Sequence, residues 1–140
     1  MSGFLLDTNV PSEIMGVNPS PKVTSWMDCH ARHTLYLSAV TIGEIRKGIS
    51  LLQLGARRSR MEEIFETRVL TWFTGRILPV TTQVAQRWGD LDARRQLIGR
   101  PIHPADGMIA ATAMEYKFTL VTRNTKDFEE LGLPLLNPWD

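Results

Sequence analysis

One cysteine, Cys29, stands in 140 residues. A lone thiol excludes an intrachain disulfide framework and a cysteine-built zinc site. It also fits a reducing compartment. The three histidines, His30, His33 and His103, lack the spacing of paired metal ligands and read as structural or surface residues. No Gly-rich phosphate loop is present, nor a Ser–His or Cys–His arrangement suited to nucleophilic catalysis. Neither sign of charge dominates: 16 Lys+Arg face 15 Asp+Glu, a net charge of +1. That balance argues neither for nor against a nucleic-acid partner. No apolar run approaches the roughly 18 residues that span a bilayer. The opening Met1-Ser2-Gly3-Phe4-Leu5-Leu6-Asp7 has no basic region and meets an acid after a short apolar run, so it does not read as a signal peptide. The expectation is a soluble, cytoplasmic protein with no membrane partner.

What is present is ordinary globular composition, 43% hydrophobic and 22% charged, which excludes a disordered chain. The length predicts one domain, residues 1–140, because no linker or repeat divides it. A chain of this size buries on the order of 70% of its unfolded surface.

Short apolar runs alternate with helical patterns. Phe4-Leu5-Leu6, Leu35-Tyr36-Leu37, Ile77-Leu78-Pro79-Val80 and Thr119-Leu120-Val121-Thr122 read as buried strands, with Pro134-Leu135-Leu136 as a fifth strand at an edge. Pro11 and Ser12 suit the first turn of a short helix, and a second helix follows Ser20-Pro21. The pattern Ile42, Ile45, Ile49, Leu52 predicts a helix capped by Ser38 or Thr41 and running to Gly55. Further helices are predicted from about Arg57 to Phe73, after Thr81 or Thr82, and from Pro104 to about Tyr116. This alternation implies an α/β fold, a three-layer α/β/α sandwich around a parallel sheet. Ligands of such sheets gather at the carboxyl ends of the strands.

Acids recur where the pattern does not favour them. Asp7 directly follows a buried strand; a turn or cap role would also place it there. Glu44 projects away from the polar face formed by Arg46, Lys47, Ser50 and Gln53, where a solvated glutamate belongs. Asp106 suits the positive end of a helix dipole, yet that helix is largely apolar, and a buried carboxylate needs a partner or a cation. Asn124 and Asp127 follow the fourth strand and also resemble ordinary loop and cap residues. Together these groups meet at one sheet edge. Crowded carboxylates repel unless a cation intervenes, and oxygen ligands select Mg²⁺, with Mn²⁺ able to substitute. A water on such an ion can attack a phosphodiester. The basic residues form small groups: Arg57, Arg58 and Arg60; Arg87, Arg94, Arg95 and Arg100; Arg123 and Lys126. Arg46 and Arg123 are the candidate phosphate contacts near the acidic edge, although Arg46 also suits a solvated helix face.

The same residues resemble the PIN-domain ribonucleases, specifically the VapC-type toxins. Leu6-Asp7-Thr8-Asn9 matches their opening motif. Leu37 to Gly48, around Glu44, matches the second acidic block, and Pro104 to Ala113, around Asp106, the third. Val121-Thr122-Arg123-Asn124-Thr125-Lys126-Asp127-Phe128 matches the fourth. Gly75-Arg76-Ile77-Leu78-Pro79 and Asn137-Pro138-Trp139 resemble the FitB branch. The resemblance implies a Mg²⁺-dependent endoribonuclease, the toxin of a type II toxin–antitoxin system. It implies Asp7, Glu44 and Asp106 as the catalytic triad, with Asp7 and Asp106 as metal ligands. Thr8, Asn9 and Thr122 would orient carboxylates or waters. The implied partners are RNA and an antitoxin with a DNA-binding segment, and the implied assembly is a homodimer; exposed Leu51, Leu54, Trp26 and Trp72 are the expected apolar surface. Many relatives place an acid where this chain has Asn124, so the fourth site residue is either Asn124 or Asp127. A housekeeping PIN-domain nuclease acting on structured RNA or DNA without an antitoxin is the alternative. A non-catalytic module would lack the full triad, and a phospho-receiver would carry its Asp on a later strand.

Overall fold

The computed structural model describes residues 3–140; Met1 and Ser2, part of the segment read above as no signal peptide, lie outside them. Five strands form one sheet: β1 (Phe4–Leu6), β2 (Leu35–Ser38), β3 (Ile77–Leu78), β4 (Thr119–Val121) and β5 (Leu135–Leu136). Their order is β3-β2-β1-β4-β5, and every pairing is parallel. The chain winds outward from β1 through β2 to β3, then returns to place β4 on the other side of β1. The order therefore reverses between β1 and β4, where parallel sheets open a crevice beyond their carboxyl ends.

Among the described residues seven α-helices flank the sheet: α1 (Asn9–Met15), α2 (Pro21–Asp28), α3 (Ala39–Ser50), α4 (Ala56–Ile64), α5 (Thr82–Leu97), α6 (Pro104–Tyr116) and α7 (Thr125–Phe128). Strand side chains alternate faces, so Leu6, Leu35 and Leu37 join a core with Val10, Val23, Ile45 and Phe73. Leu5 and Leu120 join a second core with Leu91, Ile109 and Phe128. Two cores on opposite faces of one sheet make the three-layer α/β/α sandwich. Among the described residues no helix is long and apolar enough to cross a membrane.

Beyond shifts of a residue or two at other ends, three element boundaries differ from expectation. The strand read as Ile77 to Val80 stops at Leu78, because Pro79 has no N–H to donate to the ladder. The helix expected to reach Gly55 ends at Ser50. Beyond it Leu51 and Leu54 are 76% and 86% exposed, so no apolar contact holds another turn. The helix expected from Arg57 to Phe73 is α-helical only to Ile64, then widens into π-turns over Phe65–Thr71. The wider turns keep Phe65, Val69 and Phe73 together in the core.

The apolar surface also needs correction. Leu51 and Leu54 are exposed as expected, but Trp26 and Trp72 pack against the first core. Trp72 is covered by the guanidinium groups of Arg32 and Arg76, 4.5 and 4.9 Å from its ring centre. Aromatic faces attract cations in this way. Arg76 also donates to the carbonyls of Arg32, Leu35 and Trp72, which fixes the turn leading into β3.

Candidate active site at the carboxyl edge

Asp7 leaves the end of β1 directly into the crevice. It is only 4% exposed. Its Oδ1 accepts the Thr8 N–H at 2.9 Å, and its Oδ2 accepts the Thr122 hydroxyl at 2.8 Å. Thr122, just beyond β4, is itself fixed: its Oγ1 accepts the Asn124 N–H at 3.0 Å and the Asn9 amide at 3.3 Å. Asn9 also reaches Asp7 Oδ2 at 3.4 Å. The carboxylate is thus held by groups from both strands that border the switch in strand order. Burial drives its pKa up; the Thr122 and Thr8 hydrogen bonds oppose that, and the charges of Glu44 and Asp127 add to it. The pKa stays raised above its ordinary 3.8.

Glu44 comes from α3 and is half-buried. Thr8 Oγ1 donates to its Oε1 at 2.6 Å, a short contact typical of a hydroxyl on a charged acceptor. The expected turn of Glu44 away from the polar face is therefore realised as a bond to Thr8, just ahead of α1. Asp106 occupies the first turn of α6, after the His103 N-cap and Pro104. Its pKa is pushed up to about 6 by partial burial, then by the charges of Asp7 and Glu44, against a smaller opposing effect of His103. The apolar body of α6 explains the burial: Gly107, Ile109, Ala110, Ala111 and Ala113 are all buried.

In the fourth region, Asn124 is exposed and its side chain makes no capping bond to α7. Asp127, also exposed, acts on both Asp7 and Asp106 through its charge. Of the two residues, Asp127 is thus the one whose charge both aspartates feel. The histidines lie elsewhere in role: His30 Nδ1 is 2.6 Å from the Trp26 carbonyl, His33 is exposed, and His103 accepts the Ala105 N–H at 3.3 Å.

The two arginines singled out from sequence sit differently. Arg46 pairs with Glu62 of α4 at 3.0 Å on the surface. Arg123 stands at the rim: its N–H reaches Asn9 Oδ1 at 3.4 Å, and its guanidinium lies 5.2 Å from the Trp139 ring centre. Beside the acids runs a groove of about 230 Å³ whose lining includes Thr8, Glu44, Gly48, Leu52, Arg57 and Met61. Arg57, read from sequence only as part of a basic cluster, lines this groove and Arg46 does not. Thr41, read only as a possible cap, lies within 3.0 Å of Thr8 Oγ1. Its position three residues before Glu44 on one helix was the available signal.

The donor set is all oxygen. Its two aspartates have raised pKa values because burial and the charges of neighbouring carboxylates are only partly offset. Such a set suits a hard divalent cation. Among the described residues no three acids, histidines or cysteines already form a closed cage, so the acids are coupled by charge rather than by contact.

An acidic cluster at the switch point of a short parallel sheet defines a class, and the comparisons agree. The family model described as PIN domain matches residues 4–133, and the chain belongs to that family. It is 40% identical over 137 residues to the VapC ribonuclease Y4jK of Sinorhizobium fredii, covering 98% of each chain. It is 38% identical over 136 residues to Toxin FitB of Neisseria gonorrhoeae, covering 97% of this chain and 98% of the other. The structure of FitAB bound to an IR36 DNA fragment superposes with a TM-score of 0.89 at 38% identity, covering 98% of this chain and 96% of that one.

Proposed function

We propose that the acidic edge is the active centre of a metal-dependent endoribonuclease, and that the chain, 1–140, is one catalytic domain serving as the toxin of a type II toxin–antitoxin pair. The observation that carries this reading is the convergence of Asp7, Glu44 and Asp106, from the end of β1, α3 and α6, on one partly desolvated edge, where burial first and neighbouring charge after it (Glu44 on Asp7; Asp7 and Glu44 on Asp106) raise both aspartates' pKa values. The relatives named as ribonuclease and toxin, and the DNA-bound FitAB neighbour, support it.

Asp7 and Asp106 would hold the ion, Mg²⁺ or Mn²⁺. When bound, the ion lowers the pKa of a water and offsets the charge that develops on the phosphate. Thr122 and the Thr8 N–H keep Asp7 in one orientation. Thr8 fixes Glu44 by Oε1, which leaves Oε2 to accept a proton from the attacking water. Arg57 and Arg123 border the acids and offset their repulsion of RNA, chiefly through phosphates. The adjoining groove, lined in part by Ile45, Ile49 and Leu52, is suited to an antitoxin segment. An arginine of that segment would match carboxylate geometry and neutralise the cluster. A homodimer belongs to the same reading.

The test is cleavage of total cellular RNA by purified protein, with Mg²⁺ and with EDTA. Cleavage should require the ion and vanish in Asp7→Ala, whose fold should persist. Equal cleavage by wild type and Asp7→Ala sinks the assignment.

A further inference from the structure

Thr8 precedes α1 at the N-cap position, yet its side chain makes no capping bond to that helix. Threonine in this place normally satisfies a free N–H of the first turn. Here the hydroxyl is given to Glu44 instead, at 2.6 Å. A hydroxyl carries one proton. Once Thr8 donates to the carboxylate, its oxygen can only accept from Thr41, whose Oγ1 lies at 3.0 Å. Thr41 is wholly buried, and Thr8 is its one side-chain hydrogen-bond partner among the described residues. The duty of capping α3 belongs to Ser38, which accepts the Val40 N–H at 3.0 Å. The Thr41 hydroxyl is therefore not needed by its own helix. A buried hydroxyl is costly unless it is bonded, so its single bond ties α3 to the β1–α1 junction.

We propose that Thr41 is a positioning residue. Its hydroxyl donates to Thr8 Oγ1, turns the Thr8 proton toward Glu44 and so holds the Glu44 carboxylate in one rotamer at the acidic edge. Chains of hydrogen bonds strengthen each other in such surroundings. The inference rests on the reading of the acidic edge as the cleavage site, and the two are separable by experiment.

Thr41→Val and Thr41→Ala both delete the hydroxyl, one at constant shape and one with a smaller group; Thr41→Ser keeps it. Glu44 side-chain scalar couplings are measured in the metal-free protein alongside kcat and KM for RNA cleavage. Wild type and Thr41→Ser should show one Glu44 rotamer, and the deletions averaged couplings. In the deletions kcat should fall about fivefold, the worth of one hydrogen bond between neutral groups, with KM unchanged. Thr41→Ser should restore kcat to within about twofold. A single Glu44 rotamer in Thr41→Val, or an equal loss in Thr41→Ser and Thr41→Val, overturns the proposal. Averaged couplings with undiminished kcat would uphold the positioning and refute Glu44's part in cleavage. An Asp7→Ala protein that still cleaves would refute the site reading whatever Thr41 does.

Discussion

Replacing Asp106 by asparagine separates what the site contributes to stability from what it contributes to function. In the metal-free protein the Asp106 pKa rises from 3.8 to about 6, through burial first and the charges of Asp7 and Glu44 second. The folded state then binds the proton more tightly than the unfolded state. Stability from this group is fully present below about pH 4 and is lost as pH rises through about 6. At 1.36 kcal/mol per unit the whole shift would correspond to about 3 kcal/mol. The carboxylate is half-exposed, and solvent screening reduces that to about 1–2 kcal/mol. Asp106→Asn keeps the shape and cannot ionise. In EDTA at pH 7.5, urea unfolding should show it about 1–2 kcal/mol more stable than wild type, with the difference shrinking toward zero at pH 4. A residual slope should persist in both proteins, because the Asp7 pKa is also raised. Adding Mn²⁺ should reverse the ranking. Ion at a hundredfold excess over its Kd stabilises the wild type by about 2.7 kcal/mol, whereas Asp106→Asn lacks a ligand and gains little. RNA cleavage should vanish in the same variant. Parallel pH–stability curves for the two proteins in EDTA would refute the reasoning, since the desolvated, charge-crowded aspartate is its only source.

Arg57→Ala should raise KM for RNA about tenfold at low salt while Arg46→Ala, whose surface pair with Glu62 is worth little, should raise it less than about threefold; both effects should fade as salt rises. Gly107→Ala would bring a Cβ to 2.9 Å from Trp88 Cδ1 and 3.0 Å from Nε1. Overpacking of about 1–3 kcal/mol less about 1 kcal/mol of helix propensity predicts a net loss near 1 kcal/mol by urea unfolding, with weaker Mn²⁺ binding because the first turn of α6 shifts. A Cβ at Gly48 meets nothing within 4 Å, so Gly48→Ala should stabilise by about 0.5–1 kcal/mol, and Gly48→Leu should fold yet lose antitoxin-peptide affinity by filling the groove. Asn124→Asp should tighten Mn²⁺ in titration calorimetry if its side chain reaches the ion; unchanged affinity together with loss in Asp127→Asn assigns Asp127 as the fourth acid.

Period and punctuation made most of the architecture readable. Leu5 and Leu6 sit in a run too short for a helix and bounded by Asp7-Thr8-Asn9, and β1 lies there, at the centre of the sheet. Even the edge strand at Leu135–Leu136 was visible from its apolar pair after Pro134. Strand order was not, because the sequence does not say on which side of β1 the chain returns. The π-turns after Ile64 were also hidden, since apolar residues every fourth position fit an α-helix equally well. In the site, Asp7, Glu44 and Asp106 stood out because carboxylates interrupted apolar surroundings. The surroundings of Arg46 were illegible for the converse reason. A cation on a polar helix face carries no sign of its partner, and Glu62 lies on another helix. Arg57 and Thr41 needed the fold itself. α4 must turn back past Gly55 before Arg57 can border Glu44, and β1 must lie beside β2 before a threonine on α3 can reach one ahead of α1. Helix periodicity assigns a residue to a face but not to the neighbour that face will meet. The groups proposed to act directly were therefore legible as anomalies of pattern. The groups proposed to position them look ordinary in sequence, because their bonds run between elements that only the parallel sheet brings together.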